Sequence, residues 1–159
     1  MALATLGPGL GLHCGGADLA FPHHAFEAAQ AEAVTGVAPF ARAWLRAGMV
    51  TRHGEKMAKS TGNLVFVDDV LRDATPAALR LLICQRRWWD SWEFDTADLP
   101  AAEARVHALR HAAARPASHD AEARAAVIAA LADDLDVPLA LALAEDAGGS
   151  AAELLVDVL

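Results

Sequence analysis

Residues 23–27, His23-His24-Ala25-Phe26-Glu27, carry the densest metal-capable chemistry in the chain. His23 and Glu27 are four residues apart, so on a helix they share one face with Cβ atoms about 6 Å apart. An imidazole and a carboxylate so placed can both donate to one Zn²⁺. Two donors do not close a zinc site, which takes three or four. Cys14, upstream across a turn, is the local candidate for a third. It reads better as a small buried residue beside Gly15 and Gly16. The expected zinc site is therefore incomplete, and the chain by itself is expected to bind zinc weakly or not at all.

A second chemical segment is GEKMAKSTGN, Gly54 to Asn63. Lys56 and Lys59 are three apart in a glycine-bounded loop, followed by the hydroxyls of Ser60 and Thr61. Ammonium point charges with hydroxyl and backbone N–H donors can reach a triphosphate. A solvated basic loop is the other reading of the same residues. It is no Walker A loop, because GxxxxGK[ST] is absent.

Several elements must position these groups. An apolar run ending in GLGLH and stopped by Gly15-Gly16 reads as a short buried strand entering a turn. Pro22 fits the first position of a helix over 23–35, and Gly36 the left-handed residue that ends it. Residues 40–47, FARAWLRA, suit a short amphipathic helix or a strand, and the pattern does not choose. The glycine-bracketed segment 51–61 holds only Met57 as a large apolar anchor, so it is expected to open easily. The LVFV that follows is expected to be ordered by burial of its four apolar residues.

Helical periodicity returns from Val70. Thr75-Pro76 reads as a cap and first helical residue, opening a helix through Ile83 in which Cys84 reads as core. Further helices are expected at about 100–111, 121–132 and 138–147. ARPASHD at 114–120 is a turn or linker, and Asp136-Val137-Pro138 a break. Arg86, Arg87, Trp88, Trp89 and Trp92 read as packing between helices.

Composition narrows the function classes. The chain has 159 residues, a net charge of −8, two cysteines and 39 alanines. That length suits one domain or part of a larger one. The acidic balance argues against wrapping nucleic acid, while leaving room for a small basic nucleotide site. Two distant cysteines form neither a disulfide framework nor a CxxC pair, which points to a reducing compartment. No apolar run approaches the length of a transmembrane helix, and the N-terminus lacks the layout of a signal peptide. A cytoplasmic protein without a membrane partner is expected.

Taken together, GGADLAFPHHAFEAAQ followed by GEKMAKSTGN resembles, in order and spacing, the second half of the catalytic domain of class I cysteine-activating ligases. These are the cysteinyl-tRNA synthetases and the cysteine:glucosaminyl-inositol ligase of mycothiol synthesis. The resemblance is specific from about Gly9 to Val67 and looser through ALADDLDVPLALA. It implies His23 as a zinc ligand, with Glu27 matching a further ligand of the tRNA synthetases. It implies Gly15, Gly16 and Asp18 against the adenosine ribose of ATP. It aligns 56–60 with the KMSKS loop, in which Lys56 and Ser60 face the nucleotide and Lys59 stabilises pyrophosphate. Mobile positive charge over the β,γ-phosphates is what carboxylate attack on an α-phosphate needs. A zinc-held thiolate, in turn, would separate cysteine from serine.

Departures are equally clear. The HIGH segment and the zinc cysteines of the family have no counterpart here, and Ala58 replaces a serine of the signature loop. Fewer than 100 residues follow the loop, which leaves little room for an anticodon-binding extension and makes tRNA a doubtful partner. The expectation is an α/β fold: the trailing half of a Rossmann-like class I synthetase catalytic domain over 1–67, then an α-helical bundle over 68–159. ATP and L-cysteine are the implied substrates, and the acceptor is glucosaminyl-inositol or tRNA. The chain alone is expected to be inactive or incomplete, and to need an N-terminal-half partner chain or a homodimer. The rival reading is a non-catalytic regulatory paralogue that keeps the fold.

Overall fold

The computed structural model describes residues 2–116 and 119–159, so the expected linker at 114–120 lies partly outside the described residues. The chain is α/β and divides into two compact units. One is Met1–Thr51 with Trp89–Trp92, and the other is Arg52–Trp88 with Glu93–Leu159.

The first unit opens with a short helix α1 (Ala2–Leu6) and contains β1 (Leu10–Gly16), α2 (His23–Thr35) and β2 (Ala41–Ala47). β1 and β2 pair in parallel, with Leu10 opposite Ala41, His13 opposite Trp44 and Gly16 opposite Ala47. α2 is the crossover that a parallel pair requires. The ambiguous segment at 40–47 is thus a strand, because β1 offers it a partner. β1 departs from expectation: it runs through both glycines, and only Leu10 is buried along it. In a two-stranded sheet both strands are edges, so most side chains keep contact with solvent. Cys14 is exposed for the same reason, which corrects its assignment as a buried residue.

α2 begins and ends where its residues demand. Pro22 stands at the N-cap, one position before its expected place, with φ −85° and ψ −13°. Gly36 closes the helix at φ 69°, a left-handed conformation that glycine adopts without a Cβ penalty. Glu32 of α2 accepts a hydrogen bond from the Phe40 backbone N–H at 2.8 Å, fixing the entry to β2. Leu10, Ala31, Phe40 and Ala41 make a small core, against which Leu3, Ala28 and Trp44 pack. Leu6, Leu12, Phe21, Phe26 and Val34 stay exposed, an unusual load of apolar surface for one βαβ unit.

The short strands β3 (Val50–Arg52) and β4 (Glu55–Lys56) precede α3 (Val67–Val70) and α4 (Pro76–Cys84). With β5 (Trp92–Glu93) they form a sheet ordered β4-β3-β5, and the boundary between units falls inside β3 and β5. The helices α5 (Leu99–Ala113), α6 (Asp120–Ala132), α7 (Val137–Ala147) and α8 (Gly149–Val156) complete the chain. Thr75 caps α4 as expected, its hydroxyl oxygen accepting from the Ala78 N–H at 3.2 Å. Asp136 caps α7 in the same way through Leu139 N–H at 3.1 Å. Two expectations fail here. Phe66 and Val67 of the LVFV stretch are exposed, because no strand forms there and α3 starts instead. Cys84 is exposed as the last residue of α4, past its buried stripe of Ala77, Ala78, Leu81 and Leu82.

The helical core is built from Leu81, Val106, Leu109, Val127, Leu141 and Leu155, with alanines filling the gaps between helices. Arg105 of α5 ties α7 by a two-pronged pair to Glu145, at 2.6 and 3.1 Å. Leu109 is fully buried. Leu109→Ala is therefore expected to cost about 3 kcal/mol by lost transfer energy and a cavity. Ile128→Ala, at a half-exposed position, is expected to cost under about 1 kcal/mol. Urea unfolding of both variants checks the contrast.

Candidate functional site

Within the first unit, β1 and α2 bring His13, His24 and Glu27 together, with one donor atom from each lying within 4.8 Å of the others. His13 Nε2 stands 2.8 Å from Glu27 Oε2. His24 is only 2% exposed, and its Nδ1 has no hydrogen-bond partner. Glu27 therefore keeps its sequence-predicted neighbourhood but changes companions. His23 is exposed and outside the cluster, its ring 5.7 Å from that of His24. His13 was missed by sequence reasoning, since its only local signal was one histidine in a glycine-rich strand.

A ring of aromatics encloses the pair of imidazoles. The Trp44 ring lies 4.9 Å from His13 and 5.0 Å from His24, centroid to centroid. The guanidinium of Arg46 sits 5.0 Å over the other partner of this stack, the Trp44 ring, and its buried Nε lacks a hydrogen-bond partner. Gly15 is the residue that makes room. A Cβ there would stand 2.8 Å from His24 Cε1 and 2.9 Å from Nε2, so no larger residue fits without moving the imidazole. Gly16 is similarly covered by Asp18, whose Oδ1 would meet an added Cβ at 2.6 Å. Gly15 and Gly16 thus end β1 in paired, extended backbone, and Asp18 lies in the 3₁₀ turn over Ala17–Ala20 that follows.

Burial first, then the charges of His13, Arg46 and His23, hold the His24 pKa below the ordinary 6.5, with Glu27 opposing. The folded state thus favours neutral His24, and the unfolded chain binds the proton more readily. Its contribution to stability is complete above pH 6.5 and is lost as pH falls below that value.

In the second unit the lysine loop is a braced turn. Lys59–Thr61 forms one 3₁₀ turn ended by Gly62 at φ 68°. Asn63 is the brace. Its Oδ1 accepts from Ala58 N–H at 2.9 Å, and its Nδ2 donates to Lys56 C=O at 3.1 Å. The Thr61 hydroxyl has Ala58 C=O at 2.8 Å and Asn63 Oδ1 at 2.6 Å as alternative acceptors. Lys56, Lys59 and Ser60 are exposed on this turn. An open cleft of about 750 Å³ elsewhere in the unit is lined by Leu64, Phe66, Leu99 and Glu103 among others. Its Glu103 carboxylate is already committed to the Thr75 hydroxyl and N–H.

A parallel βαβ element followed by a lysine turn and a helical region is the layout of a class I synthetase catalytic domain with its helical extension. The fold agrees: it matches a LeuRS–tRNA–LeuAMS ternary complex from Agrobacterium radiobacter with a TM-score of 0.56 and 16% identity. That match covers 92% of this chain and 24% of the other. Residues 1–104 match the catalytic domain of the class I (C) tRNA synthetases, and the chain belongs to that family. It is also similar to L-cysteine:1D-myo-inositol 2-amino-2-deoxy-alpha-D-glucopyranoside ligases. Identity is 49% over 144 residues with the protein of Thermobispora bispora, covering 90% of this chain and 36% of that one. It is again 49% over 144 residues with that of Streptomyces griseus, covering 89% and 35%. The chain spans about a third of the length of these curated relatives. Among the described residues, no helix is long and apolar enough to cross a membrane.

Two outcomes are expected from this geometry. The thermal midpoint of the metal-free chain should fall as pH is lowered from about 7.5 to about 5.5, and fall less steeply in His24→Gln. Asn63→Ala should raise the hydrogen-exchange rate of the Ala58 amide by roughly fivefold, the worth of about 1 kcal/mol of hydrogen bonding.

Proposed function

We propose that this chain is the trailing catalytic portion, residues 1–67, and the helical region, residues 68–159, of an ATP-dependent cysteine ligase of the amino-sugar-inositol type. The observation that carries this reading is the 49% identity to such ligases across nearly the whole chain. The name of these ligases specifies L-cysteine and an amino sugar linked to inositol.

The chemistry assigned to the ligase has two steps. A carboxylate oxygen of cysteine bonds to the α-phosphorus of ATP, the bond to the β-phosphate bridge oxygen breaks, and pyrophosphate leaves. The sugar amine then attacks the carbonyl carbon, AMP departs, and the amine loses a proton. Lys56 and Lys59 supply positive charge toward the leaving pyrophosphate, and Ser60 adds a hydroxyl donor. Gly15 and Gly16 let the backbone approach a ribose closely, with Asp18 as the acceptor for its hydroxyls. The acidic chain as a whole repels nucleotide, so these two exposed lysines carry the local attraction. The acceptor is the amino sugar rather than tRNA, in keeping with the relatives' name.

The chain matches 36% of the Thermobispora bispora ligase, so it holds part of the residues such a ligase uses. Cysteine-dependent ATP–pyrophosphate exchange tests the reading. The chain alone is expected to give none, and addition of the N-terminal part of the Thermobispora bispora ligase is expected to restore it. Lys59→Ala should then lower the restored rate by about a hundredfold. Absence of exchange in the mixture, with both parts folded and bound to each other, would favour a non-catalytic paralogue.

A further inference from the structure

Arg46 is a half-buried cation with nothing to balance it. Among the described residues its buried Nε has no hydrogen-bond partner, and its guanidinium joins no ion pair. Other arginines of this acidic chain behave differently: Arg72, Arg87 and Arg105 each meet a carboxylate, at 3.1, 3.0 and 2.6 Å. We propose that Arg46 is an oxyanion-binding residue, whose guanidinium takes a carboxylate or phosphate group of a substrate at the carboxyl end of β2.

Three observations carry the proposal. The first is the unspent donors. A guanidinium is a fork of N–H groups that cannot shed its charge, so burying part of it without an acceptor is costly. An oxyanion beside the fork supplies acceptor and countercharge together. The second is the mount. The guanidinium carbon lies 5.0 Å from the centre of the Trp44 ring, a cation–π contact. Trp44 and Arg46 are two apart on β2, so both project from the same face of the strand. The indole therefore holds the fork in place before any ligand arrives, which lowers the ordering cost of binding.

The third observation is position. β1 and β2 are parallel, and Arg46 is the last residue but one of β2, in register opposite Gly15. Ligands of open parallel sheets gather outside the carboxyl ends of their strands. Gly15 brings no side chain to that point. Beside Arg46 stand the Trp44 ring and, 5.0 Å from that ring, the His24 imidazole. Glu27, the nearby carboxylate of the histidine cluster, is turned to His13 at 2.8 Å instead. A planar fork matches the paired oxygens of a carboxylate or phosphate, which the point charge of a lysine does not. The site stands on this geometry, and only the choice of cysteine carboxylate or nucleotide phosphate as its occupant rests on the ligase reading.

The test uses the full 159-residue chain with isotope-labelled arginine, followed by nuclear magnetic resonance. Arg46→Lys identifies the Nε–H resonance of Arg46 by its loss. Adenosine monophosphate and L-cysteine are then titrated separately, with adenosine and sodium chloride as controls at matched concentration. The Arg46 resonance is expected to move with at least one oxyanion probe and with neither control. Movement with adenosine monophosphate alone assigns a phosphate, movement with L-cysteine alone a carboxylate, and movement with both a shared oxyanion site. Arg46→Ala should weaken binding of the responding probe by about tenfold, and Arg46→Lys by about threefold, since charge remains without the fork. Arg42→Ala, exposed on the same strand, should change it by less than about twofold. Circular dichroism reports whether each variant folds, and the resonance of the unaltered chain decides alone if Arg46→Ala does not. No movement with either probe overturns the proposal. Equal movement with adenosine or sodium chloride does so too, as does an equal loss in Arg42→Ala, which makes the effect one of net charge. None of these readings uses pyrophosphate exchange, so failure of this site and failure of the ligase reading are told apart.

Discussion

The imidazole of His24 lies against the backbone of Gly15, and the architecture of the first unit depends on that approach. A histidine on the second residue of α2 becomes buried only because the strand beside it carries no side chain at that point. Once buried, its ring is enclosed by Trp44 on β2 and faces His13 on β1, with centroids 5.0 Å apart in both cases. One contact therefore ties three elements, and it sets the polar character of an otherwise apolar interior. The cost is visible in the nitrogen left without a partner and in the depressed proton affinity of the ring.

The second unit solves a different problem. Its helices are alanine-rich, so close approach of backbones replaces bulky side chains, and a modest set of leucines and valines fills the centre. Gly148 shows how tight the approach is, because a Cβ there would come within 2.8 Å of the Ala112 carbonyl. The lysine turn is held by the Asn63 side chain rather than by buried apolar surface. Hydrogen bonds at an exposed site are individually weak, so such a turn can hold its shape and still yield to a ligand.

Charge is arranged with the same economy. The chain is acidic overall, yet the imidazoles and Arg46 gather in one unit and the loop lysines in the other. Each group of positive or metal-capable side chains is local and built into a turn or a strand end. Membership of the class I synthetase family accounts for the presence of both on one chain. The βαβ element and the lysine turn both fall within residues 1–104, the stretch that matches that family.

Short-range signals were legible in the sequence. Thr75-Pro76, Asp136 and Gly36 mark helix ends through contacts that span four residues or fewer, so α2, α4 and α7 could be placed from local pattern. The glycine-bounded polar turn that carries Lys59 was legible too, whereas β1 ran on through Gly15 and Gly16 where the sequence suggested a stop. What tertiary structure decided was everything that depends on a partner. FARAWLRA became a strand because β1 lies beside it, and LVFV stayed partly exposed because no strand does. Above all, helical spacing favoured His23 with Glu27, four residues apart. The fold instead buried His24 and delivered His13 from fourteen positions upstream of Glu27. Periodicity along one helix cannot register a side chain that arrives from a neighbouring strand, and that arrival determines which imidazoles meet the carboxylate.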